Sequence, residues 1–389
     1  MKLTKSNALH LSIVTAGFLA VAGAEAGTLG TFEGTTVTLG GYIKLDAIFS
    51  QYSDGTLANG SLGRDFYVPS LTPIGGKKES TQLDMHARQS RINFGTSSTV
   101  DGVALKTFVE MDFMATTIGD DRVTNGYAPE LRLAFLTYGN WMFGQNWSTF
   151  QNTASLPDTA DFIGNTDAGI FVRQAQVRYT HGNWQFALEN PETTITPDNK
   201  GGARVVADDN ALPDLVGRYN LTAGDLTMSF AALARQLVYV NGPVDSSTSA
   251  YGVSVTGKLM VGKDDIRFGV NAGSGMGRYI GLNTANDAVL DAQGDLQAID
   301  SLGYFASYRH LWDDQWRSNI TYSALQVDND LTLTGLGATE STASVRVNLF
   351  YSPTPKLSFG GEITHAVRSL ESDADGSMDR LQFSVKLDF

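Results

Sequence analysis

After residue 26, apolar and polar residues alternate with a period of two through most of the chain, and no apolar run there is long enough for a helix to cross a bilayer. The C-terminus carries the pattern most cleanly. Leu381, Phe383, Val385, Leu387 and Phe389 fall on one face, and Gln382, Ser384, Lys386 and Asp388 on the other. The same holds for Val37, Leu39, Ile43, Leu45, Ala47 and Phe49 against Thr38, Tyr42, Lys44 and Asp46. It recurs in Val103, Leu105, Val109, Met111 and Phe113 against Lys106, Glu110 and Asp112. Such strands bury one face in a sandwich core or turn it to lipid in a closed barrel, where every ladder hydrogen bond finds a partner.

Connector lengths separate the two. About sixteen strands are expected, each near the ~9–11 residues a tilted spanning strand needs. Long connectors (51–80, 115–128, 148–170, 191–212, 237–249, 274–297, 327–339 and 369–377) alternate with short ones such as Asp101-Gly102, Gly139-Asn140, Gly182-Asn183 and Gly224-Asp225. Long outer loops and short periplasmic turns belong to outer-membrane barrels, and a sandwich has no reason to sort its loops this way. Tyr138, Trp141, Tyr179, Trp184, Tyr219, Trp312, Trp316, Tyr351 and Phe389 lie near strand ends, where interfacial girdles form.

Lys2 and Lys5 precede an apolar run from Ala8 to Ala24, which ends in Ala24-Glu25-Ala26. Residues 1–26 therefore read as a cleaved export signal, and 27–389 as a single outer-membrane β-barrel domain. The chain has no cysteine, which excludes disulfides and Cys-ligated metals. A formal net charge of −13 argues against nucleic acid as a partner.

Gly41-Tyr42-Ile43-Lys44-Leu45-Asp46-Ala47, His86-Ala87-Arg88-Gln89-Ser90-Arg91, Gly144-Gln145-Asn146-Trp147-Ser148-Thr149-Phe150 and Arg173-Gln174-Ala175-Gln176-Val177-Arg178-Tyr179 resemble the DcaP-like outer-membrane porins of Gram-negative bacteria. The resemblance implies an all-β fold, a closed antiparallel transmembrane barrel of sixteen strands whose third loop folds into the pore. It also implies a homotrimer in the outer membrane that takes up small organic anions such as dicarboxylates. Some members carry a periplasmic coiled coil before the barrel, and this chain has no heptads there.

With the apolar face assigned to lipid, the other face lines the lumen. The constriction is expected at Lys44, Arg88, Arg91, Lys106, Arg132 and Arg346, opposed by Asp158, Asp161 and Asp167 of the infolded loop, with a transverse field between them. Arg91 has the opposite parity from Arg88, so a bulge near Gln89 or Ser90 is needed to turn both inward. Other lumenal positions are Asp46, Glu110, Asp112, Arg178, Arg218, Arg267, Arg309, Arg317, Glu362 and Arg368. Inward Arg and Lys favour anions, and Arg matches a carboxylate with two donors. The expected function is passive diffusion of small hydrophilic solutes with anion preference. The alternatives are a nonselective or cation-preferring porin, whose arginines are neutralised by neighbouring acids, and a filled-barrel hydrolase or adhesin.

No Ser–His or Asp–His constellation stands out beyond the pair Asp84 and His86, so no catalysis is expected. No cofactor is expected either. Asp328-Asn329-Asp330 and Asp373-Ala374-Asp375-Gly376 have the oxygen density for calcium, but solvated loop charge is the better account of them. Partners are outer-membrane lipid and lipopolysaccharide, small anionic solutes, and the barrel-assembly machinery through Phe389.

Overall fold

The computed structural model describes residues 27–197 and 202–389, so the expected export signal, residues 1–26, lies outside the described residues. One antiparallel sheet closes on itself. Its strands in chain order are β1 (Thr35–Tyr52), β2 (Gln82–His86 continued by Arg91–Val100), β3 (Val103–Asp112), β4 (Glu130–Tyr138), β5 (Trp141–Trp147), β6 (Arg173–His181), β7 (Trp184–Glu189) and β8 (Asp214–Ala223). The second half has β9 (Leu226–Asn241), β10 (Val244–Val261), β11 (Asp264–Ser274), β12 (Asp300–Leu311), β13 (Trp316–Asp328), β14 (Thr339–Thr354), β15 (Leu357–Leu370) and β16 (Asp375–Asp388). Each pairs with the next, and β1 closes on β16 from Tyr42↔Asp388 to Tyr52↔Met378. Sixteen strands result because both pieces of β2 pair with β1.

Burial is inverted relative to a soluble protein, as expected for a barrel in lipid. Ile43, Leu45, Val253, Val255, Ile363 and Leu387 are exposed, whereas Lys44, Asp46, Glu110, Arg132 and Arg346 are buried. Trp141 packs against Tyr179, Trp184 against Tyr219 and Trp316 against Tyr351, with ring centroids 4.8, 4.7 and 4.6 Å apart, all beside the short turns. Those aromatics form the girdle on the turn side.

Two expectations change, and one strand is new. Residues 237–249 are not a long loop, because β9 and β10 run together to a tight turn at Gly242-Pro243. Ser246-Ser247-Thr248-Ser249 is polar but forms ladder, because strands of 16 and 18 residues outrun the membrane and need no apolar face there. The last connector likewise shrinks to 371–374. Residues Gly27–Phe32 form a strand that pairs with β1 from Gly27↔Leu39 to Phe32↔Thr35, taking up the edge that β16 leaves open.

The third connector enters the barrel, as expected, but it is not alone. Phe66 and Tyr67 of the first loop and Met276, Tyr279 and Ile280 of the sixth are also buried within the barrel. Phe150, Ile170, Met276, Tyr279, Ile280 and Leu325 belong to one apolar cluster, and Phe66, Met114 and Ile163 to another. Gly273-Ser274-Gly275-Met276-Gly277 is thus the point where β11 ends and the chain turns inward. Gly303 on β12 permits the crowding, since a Cβ there would stand 2.8 Å from Ile280 Cδ1 and 2.9 Å from Ala168 Cα.

Candidate functional site: the lumen and its infolded loop

The wall residues of β1 to β4 face inward by the period-two rule, and their charges meet at once. Lys44 Nζ lies 3.1 Å from Asp46 and donates to Gln89 Oε1 at 2.6 Å and to the Ala160 carbonyl of the infolded loop at 2.7 Å. Arg132 donates from Nε to Glu110 at 2.9 Å and from Nη1 to Asp112 at 2.8 Å. Arg91 reaches Asp112 at 3.2 Å and Glu110 at 3.6 Å. Two arginines and two acids thus form one buried quartet.

Arg91 joins it through a wider break than a bulge. Residues 87–90 leave the ladder in a turn closed by Ser90 N–H donating to the Ala87 carbonyl, and the strand resumes at Arg91 with its parity reset. Arg88 faces inward too, but it straps loops together. It pairs with Asp65 of the first loop and donates to the carbonyls of Phe113, Met114 and Thr116. Lys106 sits opposite Ser97 and Thr137, four residues nearer the short turn than Glu110, so it belongs to the periplasmic vestibule.

The loop acids do not form a free face opposite these cations. Asp161 pairs with Arg346 at 2.5 Å, and Asp158 with Arg317 at 2.6 Å. Asp167 accepts from the hydroxyls of Tyr67 and Ser344. Glu362 accepts the backbone N–H groups of Ala160 and Asp161 at 2.9 and 3.3 Å, so β15 grips the loop backbone. The expected transverse field is therefore replaced by local pairs, because each acid reaches a wall donor before it can face the opposite side. Burial pushes the Asp167 carboxyl above its usual range, and burial beside Asp167 holds the Tyr67 phenol well above its own.

Other inward arginines have different partners. Arg178 donates to Thr149 Oγ1 at 2.8 Å and to the Trp147 carbonyl, and Arg218 to the Gln151 carbonyl. Neither makes an ion pair among the described residues. Glu189 is engaged by Thr149 N–H and Gln174. Arg267 and Arg309 share Asp265, and Arg368 holds the carbonyls of Ser70 and Thr72.

Sequence reading overlooked Arg380, which donates to Ser50 and the Gly63 carbonyl, although its parity with Gln382 and Ser384 marks it as inward. Arg173 has outward parity and still pairs with Glu130 at 2.8 Å from the strand end, so no periodic signal could find it. Period finds the inward face of Arg235 but not its partners, Asp287 of the sixth loop at 2.8 Å and Asp214 at 3.4 Å. Asp84 is taken by Arg64 and His86 turns to Asp65, so the two make no dyad. Asp330 caps the helix Leu331–Thr334, and no cluster of three ligating side chains occurs among the described residues.

The family model for the DcaP outer membrane protein matches residues 33–389. The chain belongs to that family. It is an outer-membrane channel protein of a Gram-negative bacterium, in the sixteen-stranded form. The outer membrane channel DcaP of Acinetobacter baumannii is 20% identical, with a TM-score of 0.76, covering 93% of this chain and 99% of that one. An anion-selective porin from Comamonas acidovorans is 13% identical with a TM-score of 0.57, covering 91% and 100%. A trimer form of OmpT from Vibrio cholerae is 12% identical with a TM-score of 0.54, covering 92% and 100%. At such identities the likeness is one of fold. No curated protein matches the chain.

Proposed function

We propose that this DcaP-family channel passes small hydrophilic solutes by diffusion and prefers anions, with small carboxylates and dicarboxylates as its substrate class. One observation carries the reading. Arg178 and Arg218 are two lumenal guanidiniums that make no ion pair among the described residues and have one carboxylate, Glu189, acting on both, in a chain whose net charge is −13. Two guanidiniums against one carboxylate leave a positive excess, which in a low-dielectric channel raises the local concentration of anions. The anion-selective Comamonas porin shares the fold and is consistent with this.

We also propose a homotrimer, which the OmpT trimer form supports by analogy only. Residues 1–26 act as the export signal, the remainder is one barrel domain, and Phe389 with the alternating face before it serves the assembly machinery. A nonselective pore is the second reading, favoured by the paired quartet at Arg91, Arg132, Glu110 and Asp112.

Reversal potential in a planar bilayer under a salt gradient separates the two. Anion selectivity that falls in Arg178→Gln and Arg218→Gln supports the proposal. Cation selectivity, or none, in the wild type overturns it.

A further inference from the structure

We propose that Lys258, Arg267 and Arg309 form a binding station for a compact dianionic oxyanion, a dicarboxylate or hydrogen phosphate, on the turn side of the infolded loop. The inference deepens the anion-preferring reading above and rests on it. Lys258 and Arg267 are direct cross-strand partners on β10 and β11, and Arg309 on β12 stands opposite Asp265. All three cations converge on that one carboxylate. Arg309 lies 2.5 Å from it, Arg267 2.8 Å and Lys258 3.8 Å. Asp265 is fully buried, so it positions the cations and leaves two positive charges uncompensated.

Like charges on facing strand positions are unfavourable, and a wall built for rigidity alone would supply a second acid. None is at hand. Asp158 is engaged by Arg317 at 2.6 Å. Asp264 accepts from the Tyr308 hydroxyl and the Leu311 N–H and pairs with His310. Hydrogen-bond donors are left over as well. The Lys258 ammonium approaches Asp265 only to 3.8 Å, and Arg309 Nε has no hydrogen-bond partner among the described residues. Arg267 spends Nε on Asp265 and Nη1 on the Leu156 carbonyl of the infolded loop.

The three side chains are 14–28% exposed, so they are reachable from the lumen, unlike the buried pair of Asp161 and Arg346. A dianion matches both the two-charge excess and the forked donors. The bond from Arg267 to Leu156 also ties the station to the loop that narrows the channel.

The test is block of chloride current through the purified channel by succinate or phosphate, with acetate as the monovalent control. It is run on the wild type, Lys258→Gln, Arg309→Gln and Arg309→Lys. In the wild type, succinate or phosphate is expected to block at lower concentration than acetate. Each Gln variant is expected to raise the half-blocking concentration about tenfold, the effect of one lost charge-assisted bond. Arg309→Lys should retain most of the block. Succinate block without phosphate block assigns the ligand as a dicarboxylate, and the reverse assigns it as phosphate. Unchanged block in both Gln variants overturns the station, even if the channel proves anion-selective. A cation-selective wild type whose succinate block is still lost in the variants overturns the channel reading and leaves the station standing. Lys258→Gln removes only a 3.8 Å contact, so the test does not depend on a variant that endangers folding.

Discussion

Asp161 and Arg346, 185 residues apart, meet at 2.5 Å with side chains no more than 2% exposed. This pair fixes the infolded loop to the far wall, and its energetics are those of a buried ion pair. Removing one partner strands the other charge in a medium that solvates it poorly, at roughly 3–5 kcal/mol. Arg346→Met is therefore expected to lower the unfolding midpoint in detergent and to raise single-channel conductance as the loop loosens. Combining it with Asp161→Asn should recover part of the stability. Equal stability in Arg346→Met and wild type would mean that Glu362, through its bonds to the loop backbone, holds the loop unaided.

The quartet of Arg91, Arg132, Glu110 and Asp112 is charge-balanced, so its effect on permeation is hidden until one member changes. Glu110→Gln preserves size and leaves one positive charge in excess. Its reversal potential should move toward greater anion selectivity, whereas Arg132→Gln should move it toward cations. Shifts of the same sign in both variants would place the quartet outside the permeation path.

Asp167 gives a pH dependence of definite sign. Burial raises its carboxyl above the ordinary 3.8, so the folded protein holds this proton more tightly than the unfolded chain does. The cost of ionising it is absent below about pH 3.8 and grows as pH rises through the folded value. The site's contribution to stability is therefore greatest in acid and is lost as pH rises. Subtracting the denaturation free energy of Asp167→Asn from that of wild type, pH by pH, should give a difference that falls from acid toward neutrality. A difference that rises over that range would contradict the assignment.

Most of the barrel could be read from the chain because lipid enforces strict alternation, and a one-residue slip would expose Lys44 and Asp46 to hydrocarbon. The same rule found the inward faces of Arg178, Arg218, Arg309 and Arg346. What it could not supply is depth and pairing. Ser246 to Ser249 looked like loop because strands beyond the membrane lose the apolar signal while keeping their hydrogen bonds. The inward turns of Tyr67 and Tyr279 have no periodicity, since a loop is anchored by single contacts such as the Tyr67 hydroxyl on Asp167. Which acid claims which arginine is decided by three-dimensional proximity, so the pairs Asp65 with Arg88 and Asp158 with Arg317 leave no trace in the sequence pattern.

The seam between β1 and β16 joins residues more than three hundred positions apart, with Gln382 Nε2 reaching Asp46 across it at 2.8 Å. Every partly assembled sheet therefore carries two unsatisfied edges until this last pairing forms, and each edge is a template for another chain. Time spent in that open form, more than the strength of any hairpin, sets the exposure to misassembly, because loop-closure entropy makes so distant a pairing slow. Gly27–Phe32 shortens the exposed length of β1 from one side by occupying Thr35 to Leu39 locally, leaving β16 to find only the stretch from Tyr42 onward.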